Sequence, residues 1–335
     1  MSGRRAELGT ACGAAAAAAA LALLPSATHN QAVLGWAFLV CLYAALAQSW
    51  NLLGGFAGQV NLGLAAFFGL GALVTRDLWL GGASPGASLA AGTAAAAATG
   101  AVVGGPCLRL RGPYFAIATI ATAQVLMLLF LKFRDFAWGA EGTTIPNLGN
   151  APLMMQFAGK AAYYYLALAL LVIGLAITHL IERSWLGYYL VAIGEDEDAA
   201  EAIGVDAARI KRDIYMISAF LTAMAGTFYT QYIYFIDPAT AFNFGISIEA
   251  ALVAIVGGIG TLWGPVIGTV LLETTSALLQ SWLGSSVGGV QLTVYSLILM
   301  TVILWRPTGL MGVIGDAYRR FAWRHGGAGE AVRHG

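Results

Sequence analysis

Few side chains in this sequence are suited to breaking bonds. His29, His179, His325 and His334 are scattered and form no HExxH arrangement. No carboxylate pair and no Ser–His–Asp set is visible, and Cys12, Cys41 and Cys107 lack metal-ligand spacing. They read as small buried hydrophobes, so no catalytic residue and no metal site is expected. The chemistry on offer is reversible hydrogen bonding by isolated polar groups inside apolar sequence. Gln59 and Asn61 sit among Gly54, Gly55, Gly58 and Gly63. Both amides donate and accept, and glycine lets backbone groups face a cavity. That combination suits passage of a small polar solute; a plain turn at the membrane edge also fits it. Thr119, Thr122 and Gln124 place hydroxyls and an amide on an apolar stretch, where helical Thr usually bonds its own backbone. Glu249 heads an apolar run and Glu273 lies inside one. Acids there point to a path, although Glu249 could equally snorkel to the interface. The candidate path residues are therefore Gln59, Asn61, Thr119 and Glu249.

The elements that must hold these residues are membrane spans. Hydrophobic residues make up 59% of the 335 and charged residues 10%, against about 25% charged in soluble domains. Leu8–Thr75, Leu78–Leu108, Ile214–Ile236, Ala250–Leu272 and Thr274–Trp305 contain no Asp, Glu, Lys or Arg. Charge is costly in hydrocarbon, so such runs belong in a bilayer. The expected spans are 11–25, 31–53, 60–80, 86–108, 114–131, 163–181, 214–236, 246–262, 265–283 and 287–305. The fold class is thus an all-α polytopic membrane protein of about ten helices, some broken by glycine. The first span is alanine-rich and short, and Met1–Pro25 also resembles a signal peptide. The glycines and alanines suit close helix packing. Gly257–Gly260 reads as a helix break, since a phosphate loop would end in Gly-Lys-Ser/Thr. A net charge of zero gives no reason to expect nucleic acid.

Twelve of the charged residues fall between Glu182 and Asp213. That stretch must lie in water. With ten spans and a cytoplasmic N-terminus, only Arg76, Lys132, Arg134 and Lys160 of the 17 Lys and Arg residues fall outside. This obeys the positive-inside rule and places the loop and both termini in the cytoplasm. The expected organisation is a tail over 1–10, a membrane domain over 11–312 with a cytoplasmic loop at 182–213, and a tail over 313–335. Within the loop, acids at 195–198 open a helix at its positive end. Ala199, Ala200 and Ile203 form a narrow apolar stripe, Gly204 ends the helix, and Asp206 caps a second short helix. The stripe offers close approach to another protein and its acids suit a basic groove; a solvated connector would look similar.

Asp198-Ala-Ala, followed after three residues by Gly204, resembles the EAA-x3-G coupling motif of ABC importer permeases. Six further segments, with that loop, resemble permease subunits of branched-chain amino acid importers of the LivM type, in family order. They are Trp50–Gly63, Arg111–Thr119, Glu141–Pro146, Ala225–Thr227, Gly257–Pro265 and Trp305–Leu310. The wider importer motif ends Ile-x-Leu-Pro, where this chain has Ile214-Tyr-Met-Ile217. The resemblance implies an ABC-importer permease fold in a bacterial inner membrane. It implies a coupling loop made by Glu195, Asp198, Ala199, Ala200, Glu201, Ile203 and Gly204. Its partners would be a second homologous permease, two cytosolic ABC ATPases that bind the ATP, and a periplasmic binding protein; the chain itself would hold no cofactor. The cargo would be branched-chain amino acids or a related small solute such as urea or an amide. The alternative is a secondary transporter or channel with no ATPase.

Overall fold

A computed structural model describes residues 30–133, 155–283, 288–305 and 309–312, with 25, 28, 143–146, 149 and 151. The expected first span, apart from its last residue Pro25, and both expected tails lie outside the described residues. The described chain folds into helices α1 (Gln31–Gly54), α2 (Leu64–Leu80), α3 (Pro85–Cys107), α4 (Pro113–Lys132) and α5 (Lys160–Arg183), then α6 (Trp185–Glu195), α7 (Glu197–Ala202) and α8 (Ala207–Ile233). The short α9 (Pro238–Ala241) precedes α10 (Phe244–Gly257), α11 (Gly264–Leu283) and α12 (Gly288–Trp305). A two-residue antiparallel pair joins β1 (Thr143–Thr144) to β2 (Phe235–Ile236), and Ala151 bridges Gln156.

By length and composition, Gln31–Gly54, Pro85–Cys107, Pro113–Lys132, Lys160–Arg183 and Pro238–Gly257 can cross a membrane. Their burial differs sharply. In α1, 72% of the apolar window is inside the bundle; in α4 only 17% is. Accordingly α1 packs against α5, α8, α10 and α11, while α4 turns Ile117, Val125 and Leu128 outward. Helices α2 and α8 meet through missing side chains. A Cβ on Gly71 would strike the Ala223 carbonyl, and one on Gly226 the Phe68 carbonyl.

The helices share two ends. Lys160 N donates to Gln31 Oε1 at 3.1 Å, so α1 and α5 start together. Arg76, fully buried, pairs with Asp77 at 2.6 Å and donates to the Ile236 carbonyl, near that same end. The opposite end gathers the loop after α1, helices α6 and α7, and the loop after α10. Arg76 and Lys160 thus lie at the end of the bundle opposite to residues 182–213.

The helix bounds depart from expectation at three places. Residues 60–63 are non-helical, so α2 starts at Leu64. The second short helix does not exist: Asp206 caps the long α8, its carboxylate accepting from Arg209 N at 3.0 Å. The polar first turns of α8 hid its start at Ala207. Glycine ends α10 at Gly257, five residues early, because the break at 258–263 is real.

Candidate functional site: a glycine seam and a charged elbow

Two non-helical loops meet at the α6–α7 end. The first, residues 55–63, is exposed at its Gly58 and Val60 tip, half-buried at Gly55 and Leu62 and buried elsewhere. Its polar groups are met by side chains. Trp50 Nε1 donates to the Asn61 carbonyl at 2.7 Å. Asn61 Oδ1 accepts from Gly63 N at 2.9 Å. Thr119 Oγ1, from α4, accepts from Leu62 N at 3.2 Å. Ala65 N, just inside α2, donates to Ser247 Oγ of α10. The second loop, residues 258–263, is tied to the first by Asn51. Its Nδ2 donates to the Thr261 carbonyl at 3.0 Å, and its Oδ1 accepts from Gly260 N at 2.9 Å. A Cβ on Gly55 would come within 2.7 Å of Gly260 N, so the backbones themselves touch.

Of the expected path residues, the structure brings Asn61 and Thr119 together. Both are fully buried. Asn61 Nδ2 and Gln59 Oε1 are buried with no hydrogen-bond partner among the described residues. An unmatched buried amide group costs about 1–3 kcal/mol, which a plain turn would not need to sustain. Glu249 is elsewhere. It lines a cavity of about 260 Å³ with Leu46, Phe68, Tyr229 and Asn243, and Gln59, Asn61 and Thr119 are not among its walls. Glu273, on α11, is buried at 8% exposure and is not among the walls of that cavity.

The elbow is α6 turning into α7. Asp196 caps α7, accepting from Ala199 N at 3.0 Å. Glu197 and Asp198 sit in its positive first turn. Gly204 closes it at φ +93°, a left-handed conformation that suits glycine. The acids are paired within the chain. Arg111, at the start of α4, bonds Asp198 at 2.6 Å and lies 3.6 Å from both Glu197 and Glu201. The Asp198 hydrogen bond, with the flanking carboxylates, holds the Arg111 guanidinium above its ordinary pKa. Lys211, fully buried, bonds Glu197 at 2.7 Å. These bonds clamp α7 to α4 and α8, while Asp198 and Glu201 stay exposed beside the stripe. The apolar stripe divides as well. Ala200 packs inward at 3% exposure, while Ala199 and Ile203, the latter at 79%, face out. Ala202 joins the outward face, a residue the sequence reading passed over. Glu195 is also exposed.

Seam and elbow touch directly. A Cβ on Gly194, beside the elbow, would sit 2.9 Å from the Phe56 carbonyl. A cavity of about 340 Å³ between them is lined by Phe56, Gly58, Tyr188, Glu195 and Gly260 among others. Sequence reasoning missed Asn51, Arg111 and Lys211 as site residues. For Asn51 the signal was an amide deep in an uncharged run, three residues before a pair of glycines.

This arrangement has clear relatives. Residues 32–305 match the family described as branched-chain amino acid transport system / permease component. The high-affinity branched-chain amino acid transport system permease protein LivM of Escherichia coli (strain K12) is 28% identical over 306 residues, 82% of this chain and 69% of that protein. LivH of Salmonella typhimurium is 32% identical over 138 residues, covering 41% and 43%. The fructose import permease protein FrcC of Rhizobium meliloti is 26% identical over 208 residues, covering 58% and 56%. No solved structure matches the chain. With residues 32–305 matched, and with buried polar loops between apolar helices, this chain belongs to the branched-chain amino acid transport permease family, a multi-pass membrane transport component.

Proposed function

We propose that this chain is one of two permease subunits of an ATP-driven importer in the bacterial inner membrane. A second homologous permease, two cytosolic ABC ATPases and a periplasmic binding protein complete it. The observation that carries this reading is the elbow. A capped helix presents Ala199, Ala202 and Ile203 to solvent while its acids are held by Arg111 and Lys211. Small exposed apolar residues on a braced helix make a docking face for an ATPase groove. Glu195, Asp198 and Glu201 shape its rim, Ala200 anchors it inward and Gly204 closes it. ATP binds the ATPases, not this chain. The membrane domain is 11–312, with the coupling loop at 182–213 and tails at 1–10 and 313–335; both termini are cytoplasmic. The path runs past Gln59, Asn61, Thr119 and Glu249. The cargo is branched-chain amino acids or a related small polar solute such as urea or an amide.

The experiment is uptake by cells expressing the whole importer with Ala199→Glu or Ile203→Glu. Both side chains are already exposed, so the chain inserts and reaches normal levels. A carboxylate forced into an apolar interface lacks a partner, and uptake is abolished with loss of ATPase co-purification. Normal uptake in both variants overturns the docking reading.

A further inference from the structure

At the end of the bundle away from the elbow lies a cavity of about 380 Å³ that neither seam nor elbow uses. Phe157, Gly159, Lys160, Tyr163, Tyr232 and Tyr234 line it. Lys160 opens α5, and its Nζ stands 5.6 Å from the centre of the Tyr232 ring, within cation–π reach. A glycine of α1 makes room for this pair: a Cβ on Gly35 would lie 2.8 Å from Tyr232 Oη and 3.0 Å from Lys160 Nζ. No Asp or Glu among the described residues forms an ion pair with Lys160. The Tyr163 and Tyr234 hydroxyls share one hydrogen bond of 2.6 Å, and Tyr163 also accepts from Phe157 N. Two hydroxyl hydrogens serve that one bond, so one is left to donate into the cavity.

The cup therefore offers a cation and a hydroxyl donor between aromatic walls, with no acid among its described lining. That is a receptor for an anion, and its depth says which one. The spans Gln31–Gly54 and Lys160–Arg183 both begin here, joined by the bond from Lys160 N to Gln31. The first residues of a span lie at the headgroup level of a bilayer, where tyrosines gather. A lysine that only snorkelled would extend its ammonium into water; this one is half-buried and held over a ring. Ile233 and Phe235 alternate with Tyr232 and Tyr234 and are exposed, an apolar track for acyl chains beside the cup. A water-soluble acid would leave that track uncovered. A lysine ammonium is a point charge suited to phosphate, and a headgroup carrying its own ammonium would set it against Lys160.

We propose that this cup binds an anionic phospholipid, whose phosphate sits on Lys160 Nζ and the remaining tyrosine hydroxyl. The inference rests on the chain's place in a membrane, and not on the cargo or partners proposed above.

The test is thermal unfolding of the full chain, purified and delipidated in detergent, titrated with phosphatidylglycerol, phosphatidylcholine or inorganic phosphate. Phosphatidylglycerol is expected to raise Tm saturably, and the other two to have little effect. Lys160→Gln raises the half-saturating phosphatidylglycerol concentration roughly fivefold, the scale of one basic residue at an anionic surface. Lys160→Arg keeps most of the response. Gly35→Ala displaces only the ends of two flexible side chains, so it weakens the response without unfolding the chain. Lys132→Gln, exposed at the far end of α4 from Arg111, leaves it unchanged. An equal response to phosphatidylcholine or to inorganic phosphate overturns the inference. So does wild-type titration by both Lys160→Gln and Gly35→Ala, or a Lys132→Gln effect as large as that of Lys160→Gln. If Lys160→Gln abolishes uptake by the importer while the lipid response is intact, the cup serves a carboxylate and the inference fails.

Discussion

The seam and the elbow lie against each other but are held by opposite means. The seam is closed by amides, hydroxyls and backbone contact: Asn51 on Gly260 and Thr261, Trp50 on Asn61, Thr119 on Leu62. No formal charge takes part in these bonds. The elbow is closed by ions, with Arg111 half-exposed among Glu197, Asp198 and Glu201. Buried neutral contacts are short-ranged and exacting, whereas exposed ion pairs are tolerant and screened. The difference teaches where this protein accepts change.

The comparison breaks most easily at the seam. Gly55→Val puts methyl groups where Asn51 Oδ1 and Gly260 N already sit. Neither neighbour can yield, because one is a paired amide and the other is backbone. The expected outcome is loss of the folded chain from the membrane, read by immunoblot and by size-exclusion of the detergent-solubilised complex. Asn51→Ala should come next. It leaves the Thr261 carbonyl and Gly260 N–H unmatched, at about 1–3 kcal/mol for each group. Thermal unfolding of the purified complex should show a clear drop that salt does not alter. Arg111→Ala should have the smallest effect, because its partners at 18%, 77% and 45% side-chain exposure are reached by water and counterions. Its thermal shift should be visible at low salt and vanish near 1 M, where the Debye length is about 3 Å. A salt-insensitive Arg111→Ala, or a salt-sensitive Asn51→Ala, would erase the distinction.

The helices were legible because uncharged runs report a low-dielectric surrounding directly. Spans expected at 31–53, 114–131 and 265–283 match α1, α4 and α11 to within a residue or two. The start of α8 was not legible, because its first turns carry Arg209, Lys211 and Arg212 and lie beyond the apolar run. The elbow's local features were also readable: Asp196 and Gly204 act through neighbours in sequence. Its bracing was not, since Arg111 reaches Asp198 from 87 residues away, and nothing in local periodicity encodes that contact. The seam was half-readable. Gln59, Asn61 and their glycines stood out, but Asn51 joins two loops 209 residues apart. Glu249 and Glu273 were each visible as acids in apolar sequence, and the structure buries Glu273 and half-buries Glu249 among helices.

Gly194 has one more consequence. Where it meets the Phe56 carbonyl, two backbones bear on each other with no side chain between them. Any side chain at 194 would hold the two apart; with glycine the elbow rests on the loop that carries Asn61 through main chain alone, so the two can move only together or by parting.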